Sequence, residues 1–376
     1  MYYKPQKNGW RTIFLRTGTE GRLFAWQRLK NSKTEAEPTE KMKIKKMKKK
    51  SLLGNFIRFI AVRSLVKCFL FHKWSASCFR ESKDRRQGVT PDIHAKGTIV
   101  KIIDFRFRPN IPSTVQGMID HPVFGEMHAL FKFHERARSQ PIEDIVRDME
   151  AQNVVKGVIT SRDAETTYGI ASGNKGVIPF LEQYPDRFIG MAGLDPHKGM
   201  DAVDELGLMV ETHGFRGAAI DPFLAKIPAN HAKYYPIYAK CCEFDIPVVI
   251  STGMATLVDG ADPEHCHPRY IDAVARDFPK LKIVVSHGCY PWVNEIIMVV
   301  QRNRNVYLEL SEYEQSPFSE GYIQAANTMI GDKVIFASAH PFLDFKGQIA
   351  LYRKLPFSPQ ALENIFYNNA ARLLGL

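Results

Sequence analysis

Residues 101–110 read KIIDFRFRPN, a short apolar strand candidate that ends in alternating charges. Asp104, Arg106 and Arg108 follow the apolar residues, and alternate residues of a strand project to the same side. We therefore expect the three charged side chains to point in one direction where the strand ends. The composition of the chain also changes here, near Val100.

The charge of the chain is divided unevenly about this border. The 376 residues carry a formal net charge of +11. Residues 1–100 hold 24 Lys and Arg against 7 Asp and Glu, a net charge of +17, whereas the other residues hold 27 against 33, a net charge of −6. Nucleic acids are bound through basic surfaces, so the net-acidic body gives no reason to expect a nucleic-acid partner.

The basic segment before the border, residues 1–99, is interpreted as a leader. Seven of the ten residues 41–50 are lysines, and the apolar stretch at 52–71 is broken by three Lys and Arg residues. Central cations make a transmembrane helix unfavourable, while a basic amphipathic helix is attracted to an anionic membrane surface. We expect a disordered or partly helical segment, with contact to a membrane surface as the less favoured alternative. The sequence does not establish whether the leader belongs to the mature protein.

Residues 100–376 alternate between short apolar runs and helical patterns. The strand candidates are 100–104, 154–160, 188–194, 217–220, 247–251, 282–286, 306–310 and 334–338, and the helix candidates are 142–152, 177–183, 202–212, 233–243, 269–278, 292–302, 319–329 and 359–374. Continuous apolar strands are typical of a parallel sheet that is buried on both faces.

Eight such units predict an α/β fold with one (β/α)8 TIM-type barrel, for which about 250 residues are usual. A doubly wound open sheet is the alternative, but no GxGxxG follows the first strand.

Catalytic groups of such a barrel lie just after the C-terminal ends of its strands. The polar residues at these ends that we single out are Arg106 and Arg108 after the first strand, Asp221 after the fourth, Ser251 after the fifth, His287 after the sixth and His340 after the eighth. The sequence therefore predicts a charged site at one end of the barrel.

Two guanidinium groups at one strand end suggest an anion site. Each can hold a carboxylate or a phosphate through two hydrogen bonds, so Arg106 and Arg108 together suit a small anionic substrate. The alternative is that they form salt bridges with Asp104, Asp221 or Glu309 and close the top of the barrel.

Two histidines and one carboxylate are the candidates for proton transfer. His287 has a side chain that titrates near neutrality and suits a general acid or base, unless it only hydrogen-bonds to the backbone. Asp221 could activate water or orient His287, or instead cap the helix that begins at Pro222. His340 is the third candidate, unless its side chain points outward.

The cysteines and one histidine pair give weaker indications. The six cysteines form no CxxC pair, which favours reduced thiols in a cytoplasmic protein. His265 and His267 flank Cys266 in the long loop after the fifth strand. Without further ligands nearby in the sequence, this tripeptide is a weak indication of zinc.

Five passages of the body resemble the amidohydrolase superfamily, in its amidohydrolase-related branch of hydrolases and decarboxylases. They are PDRFIGMAGLDP at 185–196, HGFRGAAIDP at 213–222, PVVISTG at 247–253, FPKLKIVVSHGCYPW at 278–292 and ALENIFYNNAARLLGL at 361–376. The resemblance implies a barrel domain over residues 100–376. It also implies a site for one or two divalent ions, built from an HxH pair after the first strand, a His after the fifth, a His after the sixth and an Asp after the eighth.

The chain departs from that pattern at four of the five ligand positions. The residues matched to them are Arg106, Arg108, Ser251, His287 and Ala339. Arginine has no lone pair to offer a cation, so we expect no metal and no other cofactor.

We therefore predict a metal-independent hydrolase of the lactonase or amidohydrolase type that acts on a small carboxylate-bearing lactone or amide. Arg106, Arg108 and Ser251 would bind the substrate, while His287, Asp221 and His340 would handle protons. Two alternatives stay open, a carboxy-lyase of the same fold and a binding protein without catalysis. The sequence does not decide between a monomer and a homo-oligomer.

Overall fold

The computed structural model describes residues 13–16, 22–25, 100–253, 258 and 260–376. The chain divides into two units, Met1–Asp92 and Ile93–Leu376. In the first unit, strands β1 (Ile13–Arg16) and β2 (Arg22–Ala25) form an antiparallel pair. The helical segment considered at 52–71 lies outside the described residues, so the expectation for the leader stays a prediction.

The second unit is built on eight strands that pair in chain order. They are β3 (Ile102–Asp104), β4 (Val154–Thr160), β5 (Phe188–Gly193), β6 (Ala218–Ile220), β7 (Pro247–Ser251), β8 (Lys282–Ser286), β9 (Val306–Glu309) and β10 (Val334–Ile335). Every neighbouring pair is parallel. The prediction of eight parallel strands is confirmed, with each strand inside its predicted range.

The first and last strands of this curled sheet meet just beyond their ends. The Phe105 amide donates to the Phe336 carbonyl at 2.9 Å, and Phe107 forms a parallel bridge with His340. The Asp104 carboxylate accepts a further hydrogen bond from the Ser338 amide at 2.9 Å. These contacts bring the two edges together at the end where the strands finish.

Helices fill the connections between the strands. They are α1 (Pro112–Ile119), α2 (Gly125–Leu130), α3 (Phe133–Arg136), α4 (Ile142–Ala151), α5 (Glu165–Tyr168), α6 (Ile178–Gln183), α7 (Met200–His213), α8 (Pro222–Ala225), α9 (Tyr235–Glu243), α10 (Pro268–Asp277), α11 (Val293–Arg302), α12 (Glu320–Thr328), α13 (Phe345–Lys354), α14 (Pro359–Glu363) and α15 (Asn369–Leu374), with a π-turn at Asn364–Asn368. All eight predicted helical segments contain helix, while α1 to α3, α5, α8 and α13 were not predicted. No helix in the described ranges is long and apolar enough to cross a membrane.

Alternation along the strands separates the barrel interior from the layer that faces the helices. Val158, Val249 and Val284 belong to one cluster of buried side chains, which we call the interior cluster. Ile250 and Val285, one residue further along β7 and β8, belong to the outer cluster with the helices. Because both layers are apolar, the strands read as continuous hydrophobic runs in the sequence.

Helices α1 to α3, residues 112–136, form a segment that we name the lid. The lid residues Phe124 and Met127 pack against Ala164, which follows β4, and Phe223, which follows β6. The lid therefore lies over the C-terminal ends of the strands, where the chemistry of such barrels is located.

Candidate active site

The barrel interior turns polar at the C-terminal ends of its strands. The interior positions there are Thr160 of β4, Asp221 after β6, Ser251 of β7, Ser286 of β8 and Glu309 of β9, and all of them are buried. Four of these five residues stand two positions beyond an apolar residue of the interior cluster. We call this polar end the barrel mouth.

Arg106 spans the mouth from the end of β3 to the end of β8. Its guanidinium Nη1 donates to the Ser286 hydroxyl at 2.8 Å, and the Ser286 hydroxyl donates to Glu309. Glu309 also accepts from the backbone amides of His287 at 3.2 Å and Ser311 at 2.7 Å. Burial lowers the pKa of Arg106, although the Glu309 charge opposes the shift.

Arg108 is held less completely. Its Nη2 donates to the Thr160 carbonyl at 2.9 Å. Among the described residues it forms no salt bridge. Burial, with the charges of Arg106 and Arg162, lowers the pKa of Arg108 to about 9, so its guanidinium stays charged at neutral pH.

A third arginine, Arg162, forms an ion pair with Asp221. Its Nε and Nη2 donate to the two carboxylate oxygens at 3.0 and 3.1 Å. Its guanidinium also lies 4.7 Å from the centre of the Phe124 ring. Burial raises the pKa of Asp221, but the Arg162 charge and hydrogen bonds outweigh this and leave the pKa below its usual value. Asp221 is thus a permanent carboxylate whose two oxygens are both engaged.

His287 is fully buried beside this network. Its Nδ1 lies 3.1 Å from the Ser311 carbonyl and 3.2 Å from the Ser311 hydroxyl. Because the carbonyl can only accept, we assign the proton to Nδ1, with the hydroxyl as a second acceptor. Its Nε2 is buried with no hydrogen-bond partner among the described residues. Burial and the Arg106 charge hold the pKa of His287 well below its usual value. The ring is therefore neutral, and Nε2 offers a free lone pair.

The interior position at the end of β8 belongs to Ser286 rather than His287. The backbone of His287 is left-handed, with φ of 61°, so the alternation of the strand does not continue through it. The resemblance matched His287 to the family's sixth-strand histidine, and that match stays a prediction. The contact with Arg106 at this strand end is made by Ser286.

His340 is placed in the barrel wall. Its ring stacks on Phe107 at 4.7 Å between centroids and meets the Phe345 ring edge-on at 5.2 Å. Its Nε2 lies 3.1 Å from the Asn110 amide oxygen. Because Phe107 and Phe345 belong to the outer cluster, these contacts do not bring His340 together with His287.

Two other predicted residues have local roles. Ser251 is in register with Ser286 across β7 and β8, and its side chain hydrogen-bonds to Asp221. In the tripeptide that suggested zinc, the His267 Nδ1 accepts from the Arg269 amide at 3.1 Å and so caps α10.

Glu312 and His121 were missed by the sequence analysis. Glu312 lies after β9 with a left-handed backbone, φ of 75°, and burial raises its pKa to about 7 although the Arg106 charge opposes this. Glu312 lies beyond the end of β9 at Glu309, so the rule that catalytic groups directly follow the strands did not point to it. His121 lies in the lid, whose helices were not predicted.

Solved structures of other proteins share the fold. An uncharacterised TIM-barrel protein of Bordetella bronchiseptica is 28% identical with a TM-score of 0.58, over 73% of this chain and 98% of that chain. A dihydroxybenzoic acid decarboxylase of Polaromonas sp. JS666, with bound manganese and the inhibitor 2-nitroresorcinol, is 18% identical with a TM-score of 0.52, over 73% and 97%. A 5-carboxyvanillate decarboxylase of Novosphingobium aromaticivorans, complexed with manganese and 4-hydroxy-3-methoxy-5-nitrobenzoic acid, is 19% identical with a TM-score of 0.52, over 73% and 96%. No curated protein matches the chain.

The manganese in two of these barrels contradicts the expectation that no cofactor is needed, and we withdraw that expectation. The residues of this chain nevertheless do not fit such an ion by themselves. Within the described ranges, no three His, Cys, Asp or Glu side chains come together in a group that could hold a metal. Arg106 and Arg108 have no lone pairs to offer a cation.

A family model extends the comparison to the sequence itself. The model described as Amidohydrolase matches residues 137–376, which is well over half of the chain. The matched region contains every barrel strand from β4 to β10 and all of the mouth residues except those that follow β3. The chain belongs to the amidohydrolase family.

Proposed function

We propose that this chain is a hydrolase for a small carboxylate-bearing lactone or amide, with the carboxylate bound by Arg108 and Arg106. The observation that carries the proposal is the state of Arg108, which is charged, faces the mouth and has no carboxylate partner in the described part of the chain. A charged guanidinium of this kind is matched in geometry and charge by a carboxylate.

His287 is the proposed proton acceptor. Its Nε2 carries a lone pair and has no partner among the described residues, so it is free to accept a proton from water. In the free protein the Arg106 charge helps to lower the pKa of His287. A bound carboxylate offsets that charge, so substrate binding raises the pKa toward neutrality and makes the histidine a better base.

The hydrolytic step is balanced by these groups. Water attacks the carbonyl carbon of the lactone or amide while His287 Nε2 takes one proton from the water. The carbon–oxygen or carbon–nitrogen bond then breaks, and the protonated histidine returns the proton to the leaving atom. In this proposal Asp221 acts on Arg162, holding a third guanidinium at the mouth, and does not exchange protons itself.

A carboxy-lyase is the second candidate, favoured by the two relatives that are decarboxylases. The arginines disfavour it, because they bind a carboxylate more strongly than neutral carbon dioxide and so stabilise the substrate more than the transition state. A lyase with this mouth would need a second carboxylate as the group that leaves. A binding protein without catalysis would take up the anion but release no product.

The test compares Arg108→Ala with Arg353→Ala, an exposed arginine of α13 that serves as the matched control. Turnover is measured on a panel of carboxylate-bearing lactones, amides and aromatic acids, with and without added manganese. We expect Arg108→Ala to raise KM about 10- to 100-fold, the effect of losing a hydrogen bond to a charged group. The thermal midpoint should stay unchanged, because the Arg108 side chain makes only one hydrogen bond to the protein in the described ranges.

Product analysis separates the candidates. Ring opening or amide cleavage supports the hydrolase, carbon dioxide release supports the lyase, and binding without product supports the non-catalytic protein. An unchanged KM in Arg108→Ala would remove the basis of the proposed carboxylate site.

A further inference from the structure

His121 lies in the lid, in the turn between α1 and α2. Its Nδ1 accepts hydrogen bonds from the backbone amides of Val123 at 3.2 Å and Phe124 at 3.1 Å. Because both partners are N–H donors, Nδ1 must carry the lone pair, and the proton of the neutral ring is on Nε2. The turn thereby fixes the tautomer and the orientation of the ring.

One aromatic ring separates His121 from the ion pair at the mouth. The Phe124 ring lies 4.8 Å from the His121 ring, and the Arg162 guanidinium lies 4.7 Å from the centre of the same Phe124 ring. Phe124 is buried, so these two contacts of its ring are part of the packing between lid and barrel. His121 is therefore held at the edge of the arginine-lined mouth.

The charge state of His121 follows from these neighbours. Burial, with the Arg162 charge and the nearby His128 and Arg108, lowers the pKa of His121 to about 3. The ring stays neutral at working pH and adds no further positive charge. Its side chain is partly exposed, and Nε2 has no hydrogen-bond partner among the described residues. The Nε2–H group is thus a fixed, neutral donor that is free to meet a ligand.

We propose that His121 binds substrate through Nε2–H, donating one hydrogen bond to an acceptor oxygen on the part of the substrate that lies away from the arginine-held carboxylate. This role of His121 rests on the proposed function, because it requires that Arg108 binds the carboxylate of the substrate. The consequence is selectivity: the site favours carboxylates that carry a second acceptor oxygen over carboxylates that end in an apolar group. The competing role for His121 is purely structural, as the acceptor that caps the turn.

Two substitutions separate these roles. Asparagine has a short side-chain oxygen that caps turns, so His121→Asn keeps an acceptor for the backbone amides but loses the distant donor. His121→Ala loses both. His134→Asn, an exposed histidine of α3 in the same lid, is the matched control.

The probes are glutarate and pentanoate, acids of equal chain length of which only glutarate has a second carboxylate. Calorimetric titration should show that the wild-type protein prefers glutarate, that His121→Asn loses about tenfold of that preference with an unchanged thermal midpoint, and that His134→Asn keeps it. In nitrogen NMR spectra, the His121 Nε2 resonance should be that of a protonated nitrogen and should shift with glutarate but not with pentanoate.

Arg108→Ala distinguishes a failure of this inference from a failure of the proposed function. If Arg108→Ala abolishes binding of both acids while His121→Asn keeps the full preference, His121 is a turn cap and the inference is overturned alone. If Arg108→Ala binds both acids as the wild type does, or if the wild type binds neither, the carboxylate site fails and the inference fails with it.

Discussion

Asp221 and Arg162 are the clearest case in which a single contact decides between two roles. Both Asp221 oxygens accept from Arg162, and the carboxylate is only 5% exposed. A buried ion pair that loses one partner leaves the other charge uncompensated. Asp221 is therefore expected to matter more for the stability and position of Arg162 than for proton transfer.

Asp221→Asn should lower the free energy of unfolding by about 3 kcal/mol, because Arg162 then lies against a neutral amide. The double variant Arg162→Met/Asp221→Asn should regain part of that loss, since no unpaired charge remains. Chemical denaturation of the two single variants and the double variant gives the coupling free energy. A stable Asp221→Asn protein with lost turnover would instead make Asp221 a catalytic base, as the sequence first suggested.

Strand alternation explains which site residues could be predicted from the sequence. The rule that catalytic groups follow strand ends found Arg106, Asp221 and Ser251, because each continues a regular strand. The same rule pointed to His287, but a left-handed residue there breaks the alternation, so the rule could not predict that Ser286 is the residue that contacts Arg106. A single sequence does not reliably show which residue has a positive φ, unless that residue is glycine.

The backbone at the end of β5 approaches the backbone that follows β4 so closely that no side chain fits at Gly193. A Cβ atom on Gly193, at the end of β5, would lie 2.4 Å from the backbone nitrogen of Arg162. The contact is with backbone, so it cannot be relieved by a side-chain rotation. Gly193 thus sets the position from which Arg162 reaches Asp221.

Gly193→Ala should therefore lower the free energy of unfolding by about 2 to 3 kcal/mol, the upper part of the usual range for overpacking a core. It should also impair substrate binding, because the Arg162 backbone has to move. Gly207→Ala in the middle of α7 is the control: its nearest neighbour would be the flexible end of Lys240 at 3.9 Å, and removing a helical glycine should stabilise by about 1 kcal/mol. Equal effects of the two substitutions would show that the close approach at Gly193 is relaxed in solution.

The elements themselves were predictable to different degrees. Helices such as α10 and α11 have wide apolar faces that repeat at helical spacing, and the sequence located both within one residue at each end. The lid helices α1 to α3 are short, and few of their described residues are buried: Val115 of α1, Met127 and His128 of α2, and Phe133 of α3. These short helices are stabilised by packing against the barrel mouth, and the periodicity of the sequence does not predict such packing.

For the barrel as a whole, the interior charges make stability depend on pH. Burial raises the pKa of Asp104 to about 7, that of Glu312 to about 7 and that of Glu314 to about 8. Above about pH 5 the unfolded chain has released these protons, while the folded protein still holds them. The contribution of the three carboxyl groups to the free energy of unfolding therefore falls as pH rises toward 8.

The histidines act in the opposite sense at lower pH. The pKa values of His121 and His340 are lowered to about 3, with burial as the main cause. Between about pH 3 and 6.5 the unfolded chain binds protons that the folded protein does not, so stability rises with pH over that range. Between about pH 5 and 6.5 the carboxyl groups and the histidines act against each other, and above about pH 6.5 only the effect of the carboxyl groups remains.

The thermal midpoint should accordingly fall as pH is raised from 6.5 to 8, and Glu314 should account for a separable part of that fall. Glu314 is buried and accepts a hydrogen bond from the Tyr352 hydroxyl at 3.1 Å. Glu314→Gln keeps an acceptor for that hydroxyl but has no proton to lose. Removing one titrating group should reduce the slope of unfolding free energy against pH by about 1.4 kcal/mol per pH unit.

Glu320→Gln, an exposed glutamate of α12, is the control and should leave the slope unchanged. Denaturation at a series of pH values checks this, and parallel curves for wild type and Glu314→Gln would mean that Glu314 is already ionised in the folded protein.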